Sequence, residues 1–138
     1  MAEAAALVER LLARDAFLGH LGIRLLEAGQ GRASLAMRVR PEHVNFNGTC
    51  HGGVIFALAD GAFGLASNSR GVLAAGIDAH ITYPAAAYEG DELTATAHEV
   101  ARSRRIATYR VDVTNGDGRP VAAFTGTVYV TERAHGNG

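Results

Sequence analysis

Three hydrophobic patterns follow one another along this chain. Residues 3–14 place Leu7, Leu11 and Leu12 on one face and Glu3, Glu9, Arg10 and Arg14 on the other, which is the signature of an amphipathic helix. Gly19 and Gly22 close that helix, and Ile23–Glu27 reads as extended. From Arg32 to Arg40 the period drops to two. Ala33, Leu35, Met37 and Val39 fall on one face and Arg32, Ser34, Arg38 and Arg40 on the other, as in a half-buried strand ended by Pro41. A polar loop, 41–51, leads into 52–69, which is apolar on nearly every side; a helix without a polar face is one surrounded by protein. Beyond residue 72 come strands over Ala74–Tyr83, Glu92–Ala101, Arg105–Thr114 and Pro120–Thr131. Asn115-Gly-Asp-Gly118 marks a hairpin, because Asn-Gly and Asp-Gly tolerate positive φ, and Ser103-Arg104 marks another tight turn. The class is α+β: an antiparallel sheet of five to six strands, the last four a meander, wrapped around a long helix. Gly61 and Gly64 lie in mid-helix at a cost of about 1 kcal/mol each relative to Ala, so close approach of the sheet is expected there.

Length and composition narrow the picture. A chain of 138 residues and 14.4 kDa, 48% hydrophobic, makes one domain with a real core. Residues 1–138 are expected to form that single domain, with 1–19 an N-terminal helix and loop and 134–138 a flexible tail. Thirteen basic residues face 14 acidic ones, for a net charge of −1, which argues against a nucleic-acid partner. Every basic residue is arginine. Schiff-base chemistry, a Ser–Lys dyad and the lysine of a P-loop are therefore excluded. The single cysteine, Cys50, makes neither an internal disulfide nor a multi-thiolate zinc site, and His20, His43, His98 and His135 show no metal-ligand spacing. No apolar run reaches the roughly 18 residues that span a bilayer, and the charged N-terminus is unlike a signal peptide, so a cytoplasmic protein without a membrane partner is expected.

The chemistry centres on one residue. Between His51 and Arg70 the only ionisable side chain is Asp60, in the most apolar helix of the chain. An unpaired buried carboxylate costs several kcal/mol. Asp60 is thus a satisfied structural acid, a group at an oligomer seam, or an active-site acid or base of the kind that accumulates where pKa values are perturbed. The helix entrance, His51-Gly-Gly-Val, offers backbone N–H groups at the positive end of the dipole, suited to an anion or a developing oxyanion; its plainer reading is a glycine-rich junction. Asn45 and Asn47 either orient water or shape the turn. Asp60 lies eight residues past Gly52, about 12 Å along a helix axis, too far for both to act on one carbonyl. If they act together, two helices must meet, as in a two-fold homodimer, and Gly53, Ala57, Gly61 and Gly64 would let them pack closely.

Asn45-Phe-Asn-Gly-Thr-Cys-His-Gly-Gly53, followed by Asp60, Ile81-Thr-Tyr-Pro-Ala85 and Glu89-Gly-Asp91, resembles the hotdog-fold acyl-CoA thioesterases, in particular the phenylacetate-pathway (PaaI-type) branch. The resemblance spans roughly residues 20–131. It implies a dimer with a continuous sheet, often assembled into a homotetramer, with active sites shared between subunits. It further implies that the Gly52 amide polarises the thioester carbonyl and that Asp60 of the facing subunit acts as nucleophile or general base. Asn45 and His51 would then hold the attacking water or support the loop. Some relatives place a helper hydroxyl on the following strand; the matching position is Gly76, leaving Ser67 or Thr82 nearby, with Asp78 and His80 as structural or rim residues. No cofactor is implied beyond the coenzyme A carried by the substrate. Arg102, Arg104 and Arg105 form a basic cluster that is either a CoA-phosphate contact or a solvated hairpin. Phe46, Phe56, Phe63 and Tyr83 line an acyl pocket or pack in the core. The expected substrate is an aromatic or medium-chain acyl-CoA. Hydration or dehydration of an acyl-thioester using His51 and Asp60 is a second possibility, and a non-catalytic acyl-CoA-binding module is a third.

Overall fold

In a computed structural model that describes residues 2–136, the chain forms helices α1 (Ala2–Arg14), α2 (Ala16–His20) and α3 (Gly52–Asn68). Its strands are β1 (Arg24–Gly29), β2 (Arg32–Arg38), β3 (Val72–Thr82), β4 (Glu92–Arg102), β5 (Ile106–Thr114) and β6 (Pro120–Ala134). All six join one antiparallel sheet in the order β1-β2-β4-β5-β6-β3, with α3 packed on its inner face. The architecture is α+β, as the pattern predicts.

The strand order corrects the expected four-strand meander. Of the last four strands only β4, β5 and β6 follow one another in space, and β3 lies on the far edge beside β6. The turns explain it. Ser103 N–H donates to the Ile106 carbonyl at 2.7 Å, and the Asn115 side-chain oxygen accepts from the Asp117 and Arg119 N–H groups at 3.0 Å each, so both turns close hairpins. Segment 83–91 has a turn at Tyr88–Asp91 that closes no hairpin between β3 and β4. It crosses the end of the sheet from β3 to β4, roughly 14 Å at ~4.8 Å per strand. Two backbone bonds of 2.8 Å hold it, Cys50 N–H to the Ala87 carbonyl and Gly90 N–H to the Val39 carbonyl.

The glycine expectation is reversed. A Cβ on Gly64 would meet nothing within 4 Å, and one on Gly61 would stand 3.0 Å from Leu18 of α2, not from the sheet. The glycines that admit close packing are on the strands. Gly76 and Gly126 lie under the Phe63 ring, 3.1 and 2.8 Å from where their Cβ atoms would be. Phe63 is 2% exposed and packs its ring against Phe124 and Tyr109 at 5.5 and 6.0 Å, while Phe56 meets Phe124 at 5.6 Å. A bulky helix residue thus needs bare backbone opposite it.

A second fastening lies where α3 meets β4 and β5. Arg70 donates to both oxygens of Glu99 at 3.1 Å, the fully buried Tyr109 donates its hydroxyl at 2.9 Å, and Arg102 adds a bond of 3.3 Å. Burial pushes Glu99 up, but the bonds from Arg70 and Tyr109 hold it below the ordinary glutamate value. Burial, together with the Glu99 charge, pushes Tyr109 up to about 12. Of the tail expected over 134–138, Ala134 still belongs to β6 and the His135 N–H donates to the Gly71 carbonyl at 2.8 Å; residues 137–138 lie outside the described residues.

Candidate active site

The loop before α3 is built by its own side chains. The Asn45 side-chain oxygen accepts from Asn47 N–H at 2.9 Å and from the N–H and hydroxyl of Thr49 at 3.3 Å each. That oxygen shapes the turn, one of the two roles open to it. Buried His43 accepts the Arg40 N–H on Nδ1 at 3.0 Å, and its carbonyl receives the His51 N–H at 2.7 Å. His51 therefore arrives at α3 as its N-cap, in extended backbone (φ −60°, ψ 133°), and its Nδ1 accepts the Gly53 N–H at 2.8 Å. A neutral ring that accepts on Nδ1 carries its hydrogen on Nε2. The His51 carbonyl takes the N–H groups of Val54 and Ile55 at 3.0 and 3.2 Å.

Those bonds use every N–H of the first turn except one. Among the described residues no acceptor meets the Gly52 N–H. The Gly52 carbonyl is held by the Tyr83 hydroxyl at 3.0 Å, with the Tyr83 ring 3.4 Å from where a Cβ would stand. The result is a fixed, unengaged donor at the positive end of α3, open to a partially negative oxygen.

Asp60 is not enclosed as the apolar surroundings suggest. It is exposed, on a stripe of α3 that runs from exposed Gly53 to half-buried Gly64, while the adjacent Ala57 and Gly61 are buried. The stripe looks apolar in sequence because its other members are small, and they leave a groove. Asp60 opens into a cleft of about 440 Å³ between α3 and the N-terminal helices, lined also by Asp15, Phe17, Leu18, Asn68 and His135. Among the described residues its carboxylate makes no hydrogen bond or ion pair. Solvent reaches the group, yet the protein walls around it still push its carboxyl above the ordinary aspartate value, chiefly by desolvation and then by the charge of Asp15. A carboxylate with no partner is free to take a proton or to attack.

Asn45, His51 and Gly52 are thus gathered at the helix entrance, while Asp60 faces the cleft two turns further along. Arg102, Arg104 and Arg105 sit at the β4–β5 turn. Arg102 is bonded to Glu99, Arg105 is paired with Glu132, and Arg104 is exposed with no partner among the described residues. The helper hydroxyl has no room at Gly76, which faces Phe63; Ser67 spends its own on the Gly64 carbonyl at 3.1 Å, and Thr82, Asp78 and His80 lie on exposed β3. Phe56 and Phe63 belong to the core, whereas Phe46, at 97% exposure, and Tyr83 remain available to a ligand. Sequence reasoning misses Asp15 and the Tyr83 hydroxyl. An aspartate between two helical stretches is a cap signal that identifies the first.

The thioesterase superfamily matches residues 47–122. The acyl-coenzyme A thioesterase PaaI of Escherichia coli is 35% identical over 112 residues, 81% of this chain and 80% of that protein. The solved structure of E. coli PaaI, from the phenylacetic acid degradation operon, superposes with a TM-score of 0.94 at 30% identity and covers 96% of each chain. A variant of the phenylacetic acid degradation protein PaaI of Thermus thermophilus gives 0.81 at 45% identity, over 83% of this chain and 98% of that one. The smu.793 protein of Streptococcus mutans, solved bound to acetyl CoA, gives 0.79 at 30% identity, over 82% and 91%. With its long helix held in a six-stranded antiparallel sheet, the chain belongs to the thioesterase superfamily as a hotdog-fold protein. Within it the chain is of the PaaI type, a hydrolase acting on thioester bonds. Among the described residues no helix is long and apolar enough to cross a membrane.

Proposed function

We propose that this enzyme hydrolyses acyl-CoA to free acid and CoA, with an aromatic group of the phenylacetyl or hydroxyphenylacetyl type, or a medium-length chain, as the acyl part. One observation carries the reading: α3 offers an unengaged Gly52 N–H at its entrance and, two turns further along, an exposed Asp60 carboxylate without a partner among the described residues. The N–H polarises the thioester carbonyl and receives the charge that develops on its oxygen, an interaction realised in the transition state. Asp60 takes a proton from water as the water oxygen attacks the carbonyl carbon, or attacks that carbon itself and is released by water afterwards. In both routes the C–S bond breaks and CoA leaves as a thiolate that is then protonated. Asn45 and His51 keep the entrance in shape. No cofactor beyond the CoA of the substrate is needed.

The eight-residue separation requires Asp60 of one protomer to work with Gly52 of the partner subunit. The eleven-residue edge strand β3 supports that pairing. Its outer backbone is open and Ile77 is 58% exposed, a surface that a second β3 would cover in a continuous sheet. A dimer, or a dimer of dimers, is the assembly proposed, and acetyl CoA in the smu.793 structure supports CoA esters as the substrate class. Arg104, with Arg102 and Arg105 beside it, is proposed to meet the CoA phosphates.

The test is thiol release from phenylacetyl-, hydroxyphenylacetyl-, benzoyl- and straight-chain CoA esters, with Asp60→Asn as control. Hydrolysis by the native protein and a loss of about 10²–10⁴ in the variant is expected, with oligomer size unchanged. Near-full turnover in Asp60→Asn removes that residue from the mechanism. Tight binding without thiol release favours a binding module, and a change in enoyl absorbance without thiol release favours a hydratase.

A further inference from the structure

Asp15 lies outside every motif that points to thioester chemistry, yet the fold carries it to the catalytic cleft. It ends the loop-free link between α1 and α2 and caps α2, accepting the Leu18 N–H on Oδ1 at 3.0 Å. Leu18 is buried directly over Gly61, whose missing Cβ would stand 3.0 Å from both Leu18 methyl groups. Gly61 is the residue after Asp60. The cap fixes Leu18, Leu18 seats on the turn of α3 that bears Asp60, and both carboxylates line the same cleft. Gly61 thus serves to dock α2, and with it Asp15, beside the acid.

We propose that Asp15 is a positioning residue for hydrolysis: its carboxylate, held at the start of α2, sets the basicity of Asp60 by like-charge repulsion across the shared cleft. This rests on the thioesterase reading given above. The other charged and titratable groups at the cleft do not supply the effect. On α3 itself Asp60 is alone. Arg14, from the last turn of α1, acts on His135. His135 follows β6, and its Nε2 lies 2.7 Å from the Asn68 side-chain oxygen, which also accepts the Ala74 N–H at 2.9 Å; the imidazole must therefore donate there. Burial and then Arg14 push the His135 pKa down, so it stays neutral near pH 7. Strand β3 contributes only Leu73 to the wall. Asp15 is the negative charge that shares the cleft wall with Asp60, in line with the raised Asp60 pKa, in which it stands second to desolvation. The consequence is catalytic. A base works best when its pKa lies nearer the working pH, provided that it remains ionised.

The experiment replaces charge and keeps the cap. Asn and Ser are as good as Asp at a helix N-cap, so Asp15→Asn and Asp15→Ser should melt close to the native protein. Two quantities are read in the full-length oligomer. One is the titration of the Asp60 carboxyl by NMR of ¹³C-labelled aspartate, assigned by the resonance lost in Asp60→Asn. The other is the pH profile of thiol release from phenylacetyl-CoA. In both variants the Asp60 midpoint and the acid limb of kcat/KM should move to lower pH, and plateau kcat should fall by about two- to tenfold with KM nearly unchanged. A cap that only supports the fold moves neither. An Asp60 midpoint that stays in place in both variants overturns the proposal even if hydrolysis is normal. Should no thioester be cleaved by the native protein, the thioesterase reading falls, and the carboxyl titration still decides whether Asp15 governs Asp60.

Discussion

The proposed sharing of one active site between two subunits can be tested by mixing two defects. Asp60→Asn removes the proposed base, and Gly52→Pro removes the proposed donor. The proline replacement is unusually clean here. Gly52 is the first residue of α3, the position where proline is favoured in helices. His51 before it sits at ψ 133°, in the extended region that a following proline requires. The N–H that disappears has no acceptor among the described residues, and the Gly52 carbonyl keeps its bond from Tyr83. The new Cβ stands 3.4 Å from the Tyr83 ring, ordinary contact. Fold and assembly should therefore survive while turnover falls on the order of 10²–10³ for loss of one oxyanion donor.

Each variant alone should be nearly inactive. Co-expressed with different tags, they form mixed dimers in which one site combines both defects and the other joins a native Asp60 to a native Gly52. A purified mixed dimer should recover about half of native turnover, and an unseparated equal mixture about a quarter, because roughly half of its dimers are mixed. If Asp60 and Gly52 of one chain worked together, each protomer would carry one defect and nothing would be recovered. Mixed dimers isolated through both tags and still inactive in thiol release would refute the shared site. The geometry behind the expectation is the roughly 12 Å between the two residues along one rigid helix.

Three further outcomes follow from the packing and the titrating groups. Gly126→Ala would place a Cβ 2.8 Å from the Phe63 ring and 2.9 Å from Phe124, so it should cost about 1–3 kcal/mol in urea unfolding, whereas Gly116→Ala, with nothing within 4 Å, should cost little; equal stabilities would contradict the tight ring packing. Tyr109→Phe removes one of the bonds to Glu99 and should cost roughly 0.5–1.5 kcal/mol; Glu99→Ala leaves the buried Tyr109 hydroxyl without its acceptor and should cost more in the same assay. His43 and His135 both have lowered pKa values, burial first in each case. Below the ordinary histidine value of 6.5 the unfolded chain takes up protons that the native protein resists, so stability should fall as pH drops from 7 toward 5, and His43→Gln should flatten that slope. Asp60, raised from 3.8, acts in the opposite sense and nearer pH 4, so the two effects occupy separate windows.

Much of the fold is legible in the sequence wherever the information is local. The alternation from Arg32 to Arg40, the turn residues at Asn115–Gly118 and the apolar segment 52–69 each point to one element, and β2, the β5–β6 turn and α3 form there, although β2 is buried on both faces, Ser34 and Ala36 included, rather than half-buried. Strand order is not local. Periodicity says which face of β3 is apolar but not which strand lies beside it, and the one tight turn of segment 83–91, Tyr88–Asp91, ends the crossing without pairing β3 to β4. The entrance loop is similar, since the roles of Asn45 and His51 depend on backbone groups that only the folded turn brings within reach. Asp15 escapes notice for the same reason, because its importance comes from Leu18 meeting Gly61 across a distance of more than forty residues in sequence.

The exposure of Asp60 teaches most. A helix apolar all round is expected to be enclosed, yet in the single chain Gly53 and Asp60 are exposed and Gly64 is only half-buried. Hydropathy weighs residue type and not area, so small residues count as apolar while contributing almost nothing to burial by their own chain. A core helix needs large side chains to fill the space between layers, as Phe63, Leu58 and Ile55 do on the sheet side. Small residues on the opposite side make sense if another backbone is to come close. The same stripe that contradicts the expectation of enclosure thus supports the expectation of a second copy. In the proposed dimer such a copy would remove water from the Asp60 carboxylate and bring a partner's Gly52 N–H to the thioester carbonyl beside it, so that desolvation and polarisation act at one point.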